Sequence, residues 1–573
     1  MKRGTLLVVL VALCILGNAA CGGNSHHTPP VIPTNNFVFY VNGEDVNENG
    51  YSLVGVVTIT ADGNNTIVGG VQDFNDGAGL TSPQPSGDAI SANGSTLVFN
   101  TDGSGNAMLT LVTSNAALGS NGTETFALSF ANGDHALISE FDGTATSAGS
   151  YDLQTLPTSP IVSTSFSFTS TGVDSGGFAV AEGGVFSLDA SGNVTGSVDI
   201  NDAGHVSLGN LPTPNANIPA SATTGRGTVT GSIDGTTAVV NFYVVTSEVI
   251  RLIDVDTTDT AVGSAYGQGA TAGSFAPSSI GQSAFYIAGF TDFYNSAGQF
   301  FTFAEGDAAK PRSNNRPARP QVAVACSGAE CAFEGTADVN ESIDIGDVAT
   351  DAEFDGTYVL AGNGYGSFSF VDPPAETELA TFGLYAVDPH LNILDPNNSA
   401  PGLTGGVLIA EMDVNHVGTG ALIPQVAVPA VSDIAADVVF NAQGDEASGE
   451  DLAAFNLVGA SGVDAGVFSG EGFINDPVGI LTGTPIVDPN STFGATFTDE
   501  SEGIGRYTSG LGGFVATSGT DVPIGFTVTA YDANGSQLFW VETDEDMTWG
   551  GSIQASTFTV PASVKAKAKP KNK

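Results

Sequence analysis

The sequence predicts an all-β protein, a tandem array of four β modules. Three observations carry this. Glycine is abundant while charge is scarce, apolar residues recur at a spacing of two, and one short stretch occurs in four copies along the chain.

The chain has 75 glycines among 573 residues and only 13% charged residues, against usual shares of about 7% and about 25%. Such a composition, with Thr, Val and Phe in place of Lys and Glu, favours short strands joined by tight turns over helices. With 41% apolar residues the chain can bury real cores. A length of 573 residues exceeds one core and suits about four domains at about 150 residues each.

The recurring stretch is Gly69-Gly70-Val71-Gln72-Asp73-Phe74-Asn75-Asp76-Gly77. It returns as Gly196-Ser197-Val198-Asp199-Ile200-Asn201-Asp202, as Gly335-Thr336-Ala337-Asp338-Val339-Asn340-Glu341 and as Gly470-Glu471-Gly472-Phe473-Ile474-Asn475-Asp476. A glycine-opened strand running into Asn-Asp chemistry reads as a strand that ends in a turn. The modules are placed at 36–155, 164–268, 283–425 and 433–557, with linkers at 156–163 and 269–282 whose Pro, Ser, Gly and Ala suggest separation of beads. In the first module Phe37, Phe39 and Val41 alternate with other residues, as do Phe126, Leu128 and Phe130, the mark of strands with one buried face. Roughly eight strands per module suit a small up-and-down meander barrel, with a two-sheet β-sandwich as the alternative. Module ends echo one another in Gly149-Ser150-Tyr151-Asp152-Leu153-Gln154, Gly263-Ser264-Ala265-Tyr266-Gly267-Gln268 and Gly550-Gly551-Ser552-Ile553-Gln554.

Residues 1–21 read as an export signal: Lys2 and Arg3 precede an apolar run too short to span a bilayer. The end of that run, Ala19-Ala20-Cys21, resembles a bacterial lipobox, which implies lipidation of Cys21; Asn18 stands where the motif usually has Leu. Cleavage without lipidation, giving a secreted protein, is the alternative. Residues 22–35 form a Gly- and Pro-rich tether. Signal, tether and glycine-rich repeats together resemble the multi-repeat lipoproteins of bacterial genomes with small, lipocalin-like β-barrel modules, whose function is generally unassigned. The resemblance implies placement at the outer membrane or cell surface, with the membrane as partner through an N-terminal lipid, and it brings no catalytic residues.

The net charge is −47, which repels phosphate backbones and argues against nucleic acid. Apart from the termini and one basic, Pro-rich insertion at 306–332, only Arg226, Arg251 and Arg506 carry positive charge. In that insertion Cys326 and Cys331 read as a local disulfide, as suits a chain outside the cytoplasm. The Lys-alternating tail 558–573 reads as disordered.

No His-Glu-x-x-His, phosphate loop or Gly-x-Ser-x-Gly elbow is present, so the expectation is a non-enzymatic protein without cofactor or metal. Asp45-Val46-Asn47-Glu48-Asn49-Gly50 opens like a calcium loop, but its twelfth position is Val56 where a bidentate Glu is needed. The repeated Asp73, Asp199 and Asp338, with Asn75, Asn201 and Asn340, offer oxygen ligands or, equally, turn-satisfying side chains. The functional expectation is a spacer, adhesion or interaction role with an envelope protein or polysaccharide. Its alternatives are a small apolar ligand inside the barrels and a calcium-stabilised surface protein.

Overall fold

Alternation at period two is borne out throughout: the computed structural model is nearly all strand, and each of its four sheets takes its strands from one quarter of the chain. It describes residues 33–559 apart from 48, 77–86, 158–164, 190–192, 212–220, 234–235, 257–258, 290–293, 304–329, 342–346, 373–376, 399–404, 415, 426–429, 447–453, 478–485, 500–504, 511–512, 518–522 and 544–546. The signal, the tether up to residue 32, most of the basic insertion and the tail beyond residue 559 lie outside the described residues.

Every sheet is antiparallel and curls until its opening strand meets its closing strand; three are simple meanders, while in the fourth Ile486–Thr496 pairs with Phe514–Thr517 and Arg506–Thr508 with Val528–Asp532. The opening strands Thr34–Asp45, Ser165–Asp174, Ser283–Gly289 and Asp437–Glu446 each pair with the second strand on one side. On the other side each pairs with its module's last strand, Ala145–Leu153, Asp259–Gly267, Gly418–Pro424 or Met547–Ala555. The third sheet closes as an eight-stranded barrel, while the other three curl without a full ladder. The seam explains the repeated glycine of the module ends. A Cβ on Gly149, Gly263, Gly420 or Gly551 would lie 1.9–2.1 Å from a carbonyl oxygen of the facing opening strand, so no other residue lets the two strands close.

Aromatic and aliphatic side chains pack the described interiors. In module 3 the rings of Phe285, Phe333, Phe354, Phe368, Phe370 and Phe382 pack with centroids 4.5–6.0 Å apart. Phe37, Phe39 and Val41 do the same work inside module 1.

The outer faces are buried as well, because the modules pack on one another. Val38, Val54 and Val56 of module 1 join Tyr243, Val249 and Ile253 of module 2 and Tyr385, Leu408 and Met412 of module 3 in one apolar cluster. Ala284 and Ile423 of module 3 meet Tyr531 and Phe539 of module 4, and Leu137 and Phe141 of module 1 meet Val439 and Phe473 of module 4. The contacts therefore close: module 4 returns to module 1.

The recurring sequence stretch makes these junctions. Each copy lies on its module's third strand, and its Asn reaches the hairpin before the closing strand of the next module. Asn75 Nδ2 donates to the carbonyls of Asp254 and Asp259 at 3.0 and 2.9 Å. Asn201 Nδ2 donates to those of Glu411, Asp413 and His416 at 3.0, 2.9 and 3.0 Å. Asn340 Nδ2 donates to the carbonyl and carboxylate of Glu542 at 3.2 and 2.6 Å. Asn475 Nδ2 completes the circle on the carbonyls of Glu140 and Ala145 of module 1, at 3.0 and 2.9 Å. The module-ending glutamines act in parallel. Gln154 Nε2 donates to Val244 O, Gln268 to Asn363 O and Gln425 to Asp532 O at 2.6–2.8 Å, while Gln554 Oε1 lies 3.1 Å from His135 Nε2 of module 1.

The connectors are packed too. Leu156 lies against the interior of module 2, Phe275 and Ile280 are buried in module 3, and Ile434 is buried in module 4. Phe558, the first residue of the stretch read as a disordered tail, takes the same place in module 1, stacked on Phe99 and Phe130 at 5.6 and 4.9 Å. An apolar ring finds a barrel mouth here whatever the lysines beyond it do. Phe558→Ala is expected to destabilise the protein by roughly 1–3 kcal/mol, below the cost for a fully buried Phe, and a thermal or denaturant melt reads this out.

Candidate functional site

Where the four modules meet, a partly enclosed chamber of about 310 Å³ is lined by residues of all of them. The opening strands supply its walls. In each, the residue just before a glycine faces the chamber: Asn42, Thr171, Ala288 and Gln443. Strand periodicity places Tyr40 and Glu44, Tyr286, and Asn441 on the same faces. Ile393 and Leu394 come from the connection that follows strand Thr377–Ala386. That connection touches every other module. Tyr266 Oη donates to Ile393 O at 2.9 Å, Gln537 Nε2 to Asn392 Oδ1 at 2.6 Å, and Asn132 Nδ2 to Asp395 Oδ2 at 2.8 Å.

Beside the chamber lies a buried charge network. Arg251, 1% exposed, comes from module 2 and donates Nη2 to Asp152 Oδ2 and Ser150 Oγ of module 1 at 2.6 and 2.8 Å. Its Nη1 donates to Ser264 Oγ and Tyr266 Oη, and its guanidinium lies 4.5 Å from the Tyr40 ring centre. The Nε has no partner. His135 Nδ1 meets Asp152 Oδ1 at 2.7 Å. Burial alone would raise the Asp152 carboxyl, but the Arg251 charge and the His135 hydrogen bond bring it down to about 2. Burial would lower His135, but its bond to Asp152 together with the charges of Asp395 and Asp152 raises it. With Nε2 taken by Gln554, the imidazole faces no hydroxyl nucleophile; chemically the network joins three modules.

The other two body arginines do the same at other junctions. Arg226 of module 2 grips Asp73 of module 1 through Nε and Nη2 at 2.7 and 2.8 Å, with Tyr243 Oη added. Arg506 of module 4 grips Asp338 of module 3 at 2.9 and 2.7 Å, with Tyr531 Oη added. Asp199 of module 2 instead accepts from Tyr365 and Tyr385 of module 3, both at 2.8 Å. In the fourth copy Phe473 stacks edge-on against Phe141. The residues weighed as calcium ligands or turn formers are thus junction residues, and the sequence signal was their repetition beside solitary arginines. Asp45 turns on itself, its Oδ1 accepting from the N–H of Asn47 and Asn49 at 2.8 and 3.0 Å.

Of the sequence-predicted sites, Cys21 and Cys326 lie outside the described residues. Cys331 is buried on strand Glu330–Glu341, inside module 3, and is disulfide-bonded. Among the described residues, one group has the spacing to hold a metal ion: Glu411, Asp413 and His416 on the hairpin clamped by Asn201. Inside module 1, Glu124 and Glu140 both face the Tyr51 hydroxyl, at 2.7 and 3.4 Å. Burial pushes Glu124 up to about 7 and Glu140 well above the usual carboxylate range, with Asp142 adding repulsion. Burial likewise pushes Asp259 up to about 7, helped by Glu182 and Asp256.

No protein-family model matches the chain, and no curated protein matches it. Among solved structures it is similar to a double mutant of the vaccine antigen transferrin binding protein B from Haemophilus parasuis. The identity is 10% and the TM-score 0.17, over 93% of this chain and 97% of that one. It is also similar to a protein of unknown function from Nostoc punctiforme, at 9% identity and a TM-score of 0.12, over 41% of this chain and 95% of that one. Likenesses this weak carry no inference about fold or function.

Two outcomes follow. Glu124 and Asp259 hold protons in the folded state at pH values where the unfolded chain, with carboxyls near 4, has lost them. Stability should therefore decline as pH rises from about 4.5 through about 7, and Glu124→Gln should flatten that part of a melting-temperature profile. Asp152 works oppositely, its contribution lost only as pH falls below about 4. Arg251→Met leaves Asp152 buried beside a weaker partner and should cost about 3–5 kcal/mol, measured by denaturant unfolding.

Proposed function

We propose that this is an exported, lipid-anchored, non-enzymatic envelope or cell-surface protein whose work is interaction. The observation that carries the reading is the closed circuit of module contacts. A spacer gains reach with every module added in line, whereas here module 4 is held against module 1 by Asn475 and Gln554. Closure favours a rigid interaction platform over a spacer, with an envelope protein or polysaccharide as partner. Aromatic rings packed inside modules 1 and 3 favour this reading over the lipocalin-like alternative. Heterologous head-to-tail contacts that close make a body of fixed size, and a single lipid on Cys21 would tether it through the 22–35 segment. The N-terminal Ala19-Ala20-Cys21 supports the anchor.

Metabolic labelling with a palmitate analogue tests placement. The wild-type chain should carry the label in the membrane fraction, and Cys21→Ala should lose it and release the protein to a soluble fraction. Label-free protein that is soluble in both forms would overturn the anchor. Capture of envelope polysaccharide and protein fractions on the immobilised chain tests the interaction role.

A further inference from the structure

We propose that the chamber between the four modules is a binding site for a neutral saccharide. Apolar clusters that include Val38, Leu137, Ile423 and Val541 join the modules around it. Filling the remaining space with Leu or Phe would extend those clusters and stabilise the assembly. The chain instead keeps about 310 Å³ open, at the lower end of the ~300–1,000 Å³ of small-molecule sites. It also lines that space with the amides of Asn42 and Gln443.

The chemistry of the wall selects the ligand. Asp152 already answers the Arg251 guanidinium, so an anion is not favoured. Side-chain amides offer a donor and an acceptor side by side, which matches neighbouring sugar hydroxyls. Tyr286 and Phe539, stacked at 5.7 Å and 21°, present an apolar surface to the C–H side of a pyranose. The mixture of side-chain amides and an aromatic wall suits a neutral mono- or disaccharide better than a lipid or a nucleotide.

The test is saturation-transfer NMR on the full chain with glucose, galactose, mannose and N-acetylglucosamine, beside glucuronate as an anionic probe and cyclohexanol as an apolar one. At least one neutral sugar should bind saturably with a Kd of about 1 mM or tighter, in preference to both other probes. Gln443→Ala should weaken it by about tenfold, the worth of one hydrogen bond. Ala288→Leu, which narrows the chamber, should weaken binding by about tenfold or more while keeping or raising the melting temperature. Absence of binding by all four neutral sugars, preference for glucuronate or cyclohexanol, or binding left undiminished by Ala288→Leu in a folded protein would overturn the proposal.

Discussion

The architecture depends on one interaction repeated four times: an asparagine amide that leaves its own sheet to satisfy backbone carbonyls of the next. The hairpins it reaches sit at junctions where Val, Leu and Tyr side chains exclude water. Carbonyls stranded there would cost roughly 1–3 kcal/mol each, so apolar docking and the amide bonds stand or fall together. The amide also fixes register. Apolar faces slide with little penalty, whereas Asn201 fits its three carbonyls only in one relative placement of modules 2 and 3.

Much of the fold was legible because it is written locally. The alternation of Phe37, Phe39 and Val41 encodes a strand whose inner face is covered, and the echoing glycines of the module ends encode the seam. What lay beyond local reading was the partner of each repeated Asp and Asn. Asn75 meets Asp254 across 179 positions and Asp73 meets Arg226 across 153, and a short polar side chain at a strand end serves a turn just as well. Val38, Val54 and Val56 gave no warning either, since a valine between phenylalanines fits an exposed strand face as readily as a covered one. The chamber is assembled from four separate strands, each contributing a residue or a few that are unexceptional alone.

Charge tells a similar story on a larger scale. With so few cations available in the body of the chain, all three arginines are spent at junctions between modules. Among the described residues no arginine answers Glu124 and Glu140 inside module 1, and burial holds them partly protonated instead. The acidic surface suits an exposed, unaggregated protein, while the interior manages its acids by proton retention.

Phe558 carries the widest implication. It fills in module 1 the place that residues from the preceding connectors fill in modules 2, 3 and 4, so the circuit has no privileged starting module. Backbone continuity is interrupted at one of four equivalent seams, and circular permutants opened at another should retain every junction. A fifth copy, by contrast, has nowhere to dock, which fixes the stoichiometry of repeats in a way that open solenoids never experience.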